Sequence, residues 1–266
     1  MAGFVGAMMG VGGGIVVVPV LVTLLDVPLR LAIGASMVGV VATSSAAAAV
    51  FIRDGLSNIR LGILLSQVTV VGALAGVLVG RLSGGRVVTG VFAGVLVFAA
   101  WVMMRRRKDR AIEPSASGEL EKRWRLTGAY RDGATGREVR YGIVRVMVGL
   151  PAMILAGMAS GMLGVGGGIF QVPIMDAVMY VPIKAATATS NFMMGITAAA
   201  GAVAFFAMGE IEPVIAAPVV TGVFFGSVLG SRVMPRVADT RLRLLFVGGL
   251  LFLAGVMAWR ALTGDV

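Results

Sequence analysis

The sequence predicts an all-α integral membrane protein made of two repeats, each a glycine-broken re-entrant or half-helix segment followed by three transmembrane helices. Three observations lead there. Of the 266 residues, 58% are hydrophobic and only 14% charged, with a mean hydropathy of +0.96, well above the apolar fraction of a soluble domain. Several charge-free stretches, among them Leu31 to Ile52, Leu61 to Gly80, Val87 to Met104 and Ala185 to Met208, are long enough to cross roughly 30 Å of hydrocarbon as helices. Finally, "GVGGGIVVVP" at Gly10 to Pro19 returns as "GVGGGIFQVP" at Gly164 to Pro173. A barrel would instead read as shorter alternating strands.

The first repeat, 1–104, opens on the glycine segment and continues with predicted helices at 29–52, 60–80 and 86–104. Its start, "MAGFVGAMMGVGGG", has no basic n-region and does not read as a cleavable signal peptide. Sliding the chain by 154 positions brings Gly12 to Gly14 onto Gly166 to Gly168, Pro19 onto Pro173, Pro28 onto Pro182, Ser36 onto Ser190 and Thr43 onto Thr197. It also aligns Gly55 with Gly209, and Gly72 and Gly76 with Gly226 and Gly230. Roughly 30 of about 105 positions agree, which marks an internal duplication. The second repeat, 141–266, accordingly carries helices at 183–208, 212–232 and 240–261.

Between them lies a hydrophilic linker, 105–140. Its "WRLTGAYRDGATGREVRYG" sets aromatic and β-branched residues around an Asp-Gly pair and predicts a small β-hairpin. "MMRRRKDR" at Met103 to Arg110 assigns the linker to the cytoplasmic side, because Lys and Arg accumulate in inner loops. The loop with Arg53, Asp54 and Arg60 then falls on that side too. In the second repeat Arg232, Arg236, Arg241 and Arg243 read as internal and Glu210 and Glu212 as external, so equivalent loops lie on opposite sides. That reversal requires an odd number of crossings per repeat and predicts an inverted pair, whereas the external Arg81 and Arg86 fit a parallel arrangement. The predicted location is the cell membrane, as a multi-pass protein.

The net charge of +10 is therefore a matter of topology, and no nucleic-acid partner is implied. With neither cysteine nor histidine in the chain, thiolate zinc sites, iron–sulfur clusters and the commonest proton shuttle are excluded, and no metal, cofactor or catalytic residue is predicted. The partners expected are the bilayer and a small anion, and a homo-oligomer is compatible with both.

Irregular backbone inside a membrane is tolerated only where protein buries it or a wet cavity receives it. The two Gly-Gly-Gly runs should each end one short helix and start another, leaving free amides and a positive dipole end inside the protein. Such ends attract anions. This makes Gly12, Gly13, Gly14, Gly166, Gly167 and Gly168 the candidate binding backbone. No βαβ unit and no following Lys-Ser/Thr supports a nucleotide loop. "GALAG" and "GSVLG", at 72–76 and 226–230, read as close-packing pairs between helices.

Candidate side chains are few and uncharged: Ser36 in the first repeat, and Gln171, Thr187, Ser190 and Asn191 in the second, with Gln171 and Asn191 as the amide donors to an oxyanion. Serine and threonine can also bond their own helix backbone, and Thr43, Ser44, Ser45 and Thr197 are read as packing residues, Thr189 as either. Met37 stands where the second repeat has Asn191, so the half-sites are not chemically equal. Asp176 is the one acidic residue placed to link transport to protons.

The doubled "GVGGG....P", the "P...A.ATS" pattern at Pro182 to Ser190, the linker ending in "VRYG" and the "G...G" pairs resemble the TauE/SafE sulfite exporter family of membrane permeases over nearly the whole chain. The resemblance implies export of sulfite, sulfoacetate or a related organosulfonate. The short run before the first glycines departs from the family, in which more apolar residues precede them. From the residues themselves follow alternating access between the repeats and a low-charge pocket that releases what it binds. An uptake carrier for an organosulfonate or other organic anion would share these features. A non-transporting membrane scaffold would have no use for duplicated helix breaks.

Overall fold

A computed structural model of the chain describes residues 1–82, 97, 100–101, 104, 113–114, 117–163 and 166–263. The predicted helix at 86–104 lies almost wholly outside the described residues. The first repeat begins with α1 (Ala2–Met9), α2 (Gly14–Leu24), α3 (Leu29–Arg53) and α4 (Ile59–Leu82). The linker contributes α5 (Glu119–Arg123) and the strands β1 (Gly128–Arg131) and β2 (Glu138–Tyr141). The second repeat comprises α6 (Val146–Leu163), α7 (Gly168–Pro173), a π-helical turn (Ile174–Val178), α8 (Ile183–Ala207), α9 (Pro213–Val233), a 3₁₀ turn (Met234–Arg236) and α10 (Asp239–Thr263).

Four of these helices are long and apolar enough to cross a membrane, within Arg30–Arg53, Ile59–Gly80, Ile183–Ala207 and Pro213–Arg236. Large apolar side chains such as Val71, Leu78, Val203, Phe206, Phe225 and Phe252 are exposed on the outside of the bundle, where a bilayer rather than water would solvate them.

Equivalent elements make equivalent contacts. Both α3 and α8 start from a proline with extended backbone, Pro28 and Pro182, whose fixed φ suits a helix entry. The two helices pack along one another, α1 packs on α9, and α6 packs on α4. Small residues allow this proximity, as the sequence predicts. A Cβ on Gly72 or Gly76 would fall on the carbonyls of Ile154 or Met158, and one on Gly230 on that of Phe4.

Directions follow from which ends meet. Arg30, at the start of α3, pairs with Glu210, just past the end of α8. Ser57 and Asn58, beyond the end of α3, bond Ala188 and Thr189 near the start of α8. Hence α3 and α8 are antiparallel.

The hairpin pairs Gly128 with Tyr141 and Arg131 with Glu138. Its loop is shaped by Asp132, whose carboxylate accepts the Ala134 amide at 3.0 Å and the Thr135 hydroxyl at 2.9 Å. It rests on the start of α4, where Asn58 caps the Leu61 amide and donates Nδ2 to the Leu126 carbonyl at 2.7 Å. Glu121 accepts the Val146 amide at the start of α6. Gly133 lies against Pro235, beyond the end of α9. Arg53, Arg60, residues 117–140 of the linker, Arg236 and Asp239 therefore share one end of the bundle, with Arg30 and Glu210 at the other.

Candidate functional site

Both glycine triplets interrupt their helices, and with the same backbone. Gly12 and Gly166 have φ of 77° and 75°. Gly13 and Gly167, the N-caps that follow, have φ/ψ of 76°/−13° and 73°/−15°. These left-handed conformations are open to glycine at no steric cost. The first helical bonds after each break are made by Val16 and Phe170, to the carbonyls of Gly13 and Gly167. The amides of Gly14 and Ile15, and of Gly168 and Ile169, stand ahead of those bonds and have no acceptor within their own helix.

The breaks meet inside the protein. All three glycines of each triplet are buried. A Cβ built on Gly12 would lie 2.7 Å from Val40 Cγ1 and 3.4 Å from Met194 Sδ, and one built on Gly166 would meet the same two atoms at the same distances. Val40 and Met194 are themselves equivalent in the repeat, so the two tips converge on a matched pair of side chains where α3 and α8 cross. Gly168 presses on the carbonyl of Gly10.

Polar side chains of the second repeat gather between the two breaks. Gln171, Thr187, Ser190 and Asn191 are fully buried, and Ser36 nearly so. Ser190 Oγ lies 3.1 Å from Gln171 Oε1 and 3.0 Å from the Gly10 carbonyl. Asn191 donates Nδ2 to the carbonyls of Ala7 at 3.2 Å and Thr187 at 3.0 Å. The exposed carbonyl end of α1 is thus satisfied by donors from α8. Both amide protons of Asn191 are engaged there, so the atom it leaves unpartnered is the acceptor Oδ1.

Gln171 differs. Its Oε1 competes with the Gly10 carbonyl for the single proton of Ser190, while Nε2 has no partner, and the hydroxyl of Ser160 on α6 has none either. The position of a Cβ on Gly167 is 3.2 Å from both. Two buried donors therefore converge over the bare backbone of the break. The hydroxyls of Thr187 and Thr43 are likewise buried without partners. Ser160 is the residue that sequence reasoning missed. The available signal was a polar residue entering one repeat where the other has Gly6. Among the residues read as packing groups, Thr197 bonds Thr69 and Ser44 bonds the Asn191 carbonyl.

Charges ring this layer without entering it. Asp176, buried after the second break, is engaged by Arg243 at 3.3 Å. Lys184, fully buried one turn before Thr187, bonds Asp132 of the hairpin and lies 3.3 Å from Asp239. In the hairpin, burial raises the Asp132 carboxyl, but bonds from Lys184, Ala134 and Thr135 outweigh it and hold the group below the usual carboxylate value. Burial pushes the Tyr141 phenol up to about 12, against the opposing effect of Asn58. No group of three or more acidic residues able to hold a metal occurs among the described residues.

Residues 1–257 match the family described as sulfite exporter TauE/SafE. The chain belongs to this family. A probable membrane transporter protein YunE of Bacillus subtilis is 26% identical over 97% of the chain and 96% of its own length. A probable membrane transporter protein of Haemophilus influenzae is 28% identical over 86% of the chain and 79% of its own. The match to the probable membrane transporter protein MamO of Paramagnetospirillum magneticum, 27% identical, covers 60% of the chain and 28% of that protein. No solved structure matches the chain. As a TauE/SafE member with several apolar helices of spanning length, the protein is a multi-pass membrane protein.

Proposed function

We propose that the protein is a permease that exports a small sulfur-containing oxyanion, such as sulfite, sulfoacetate or a related organosulfonate, by alternating access. The repeats at 1–104 and 141–266 are inverted in the membrane, and the linker at 105–140 lies on the cytoplasmic side. Antiparallel α3 and α8 and reciprocal helix contacts support the inversion. A two-fold axis that exchanges antiparallel helices lies across them, and rocking about it opens each end in turn.

The anion is held at the second break by Gln171 Nε2 and the hydroxyls of Ser160 and Thr187, with the amides of 166–168 beneath them. The first break supplies the facing backbone of 12–14, and Ser36 and Ser190 complete the layer. Asn191 orients the layer by tying α8 to α1. The observation that carries this reading is the pair of buried, unpartnered donors converging over Gly167, since a buried donor without an acceptor is destabilising unless a ligand completes it. Neutral donors also suit release, because a buried cation would hold an anion too tightly. An anion leaving a negative interior gains about 2.3 kcal/mol per charge per 100 mV, so export needs no coupled ion.

Import of an organosulfonate or another organic anion is the second reading, and Asp176 is the observation behind it, as a buried acid beside the break with Arg243 to exchange for a proton. Proteoliposomes loaded with sulfite, sulfoacetate or taurine and given a membrane potential test both. Export gives potential-driven anion flux indifferent to a pH gradient. Flux that follows the pH gradient and is lost in Asp176→Asn favours import. Absence of flux for all anions defeats the substrate assignment.

A further inference from the structure

The register that aligns the glycine breaks also aligns Arg30 with Lys184, each the second residue of a long helix entered from a proline. Since α3 and α8 run antiparallel, these equivalent cations stand at opposite ends of one helix pair. Each meets carboxylates from another element. Arg30 lies 3.4 Å from Glu210, whereas Lys184 bonds Asp132 of the hairpin loop and approaches Asp239 at the start of α10 to 3.3 Å.

A cation in the first turn of a helix is opposed by the helix dipole, which favours anions there. Neither residue therefore serves its own helix, and both are explained by what they reach. The site layer lies between them: Thr187 and Ser190 follow Lys184 by about one and two turns, and Ser36 follows Arg30 by about two. The closures differ in depth. The Lys184 side chain is 1% exposed and that of Arg30 67%.

We propose that these two ion pairs are the end gates of the transport pathway. Lys184 with Asp132 and Asp239 seals the linker end, Arg30 with Glu210 seals the opposite end, and the hairpin acts through Asp132 as a strap across α8 and α10. This rests on the alternating-access reading, and it gives the linker a mechanical task. The arrangement described has the linker end closed by a buried cluster and the other end by one exposed pair.

The chain has no cysteine, so Ser160→Cys provides a single reporter in the site layer, probed with a membrane-impermeant maleimide on vesicles of defined sidedness. Neutralising the exposed pair, Arg30→Met with Glu210→Gln, should speed labelling about two- to fivefold from the end opposite the linker and leave the linker side unchanged. Lys184→Met with Asp132→Asn should do the reverse. Charge exchange, Lys184→Asp with Asp132→Lys, should restore slow labelling, which a merely misfolded variant would not do. Unchanged rates in both neutralised variants, or equal acceleration from both sides, would overturn the gates. If the buried-pair variant does not assemble, the exposed pair decides alone. Anion flux measured in parallel on the protein with Ser160 intact separates the two readings, since one-sided labelling without flux leaves the gates standing and removes the substrate, whereas flux with unchanged labelling does the opposite.

Discussion

The two glycine breaks share a backbone and differ in chemistry. Their φ values agree within a few degrees and their tips touch the same two side chains, yet the second half of the sequence carries Ser160, Gln171, Thr187 and Asn191 where the first has Gly6, Val17, Ile33 and Met37. The kink occurs in both halves, whereas these polar groups belong to the second. For one position the reason is steric. A Cβ on Gly6 would fall on the Gly13 amide nitrogen, because α1 turns back tightly on its own break, so the first repeat has no room for the hydroxyl that Ser160 brings to the second.

The largest expected effect tests that steric asymmetry. Gly6→Ser should lose several kcal/mol, or fail to give a stable membrane-inserted protein, since backbone cannot move aside for an added side chain. Ser160→Gly should keep its melting temperature within a few degrees while binding the anion less well. Equal stability of the two variants, measured by thermal melts in detergent, would end the argument from space.

Next comes the contrast between the helix ends. Removing Lys184 leaves two carboxylates beside each other in a buried site, and Lys184→Met should destabilise by about 3–5 kcal/mol. Arg30→Met at the equivalent exposed position should change stability by under about 1 kcal/mol. The same melts check this.

The chemical asymmetry is tested by exchanging counterparts. Gln171→Val, which gives the second break the residue of the first, should lower anion flux or affinity about 10- to 100-fold, the loss of one or two buried hydrogen bonds to a charged group. Val17→Gln should not create a second site, because its neighbours remain apolar. If the two substitutions affected flux alike, the breaks would be chemically equivalent after all.

A smaller effect marks the linker end. Tyr141 keeps its proton to about 12 in the folded protein, against about 10 unfolded. Stability should thus be level below pH 10 and fall by up to about 3 kcal/mol as pH rises through the interval to 12, because only the unfolded chain ionises there. Phenolate absorbance against pH reads it, and Tyr141→Phe should remove the dependence.

Much of this was legible in one dimension. Hydropathy gave the long helices because a bilayer requires apolar runs of fixed length. The 154-residue register gave the repeats and the positions of both breaks, since three glycines before a proline cannot stay regularly helical. "RDGATG" gave the hairpin through local turn chemistry. The partners of Gln171, Asn191 and Lys184 could not be read this way. Each has a partner on another element, Ser190 of α8 for Gln171, Ala7 of α1 for Asn191 and Asp132 of the hairpin for Lys184, and hydrogen-bond saturation is a property of the packed whole. The Asn191 amide reads in sequence as a free donor, yet one proton goes to Ala7 of α1 and the other to Thr187 of its own helix, which leaves an acceptor. The order of elements and the places where the backbone breaks were thus determined by the sequence alone, because both are set by local sterics and by solvent. Only tertiary structure decided which donors remain unpaired and which charges meet at which end, because those depend on packing that brings separate elements into contact, Arg30 with Glu210 and Lys184 with Asp132 among them.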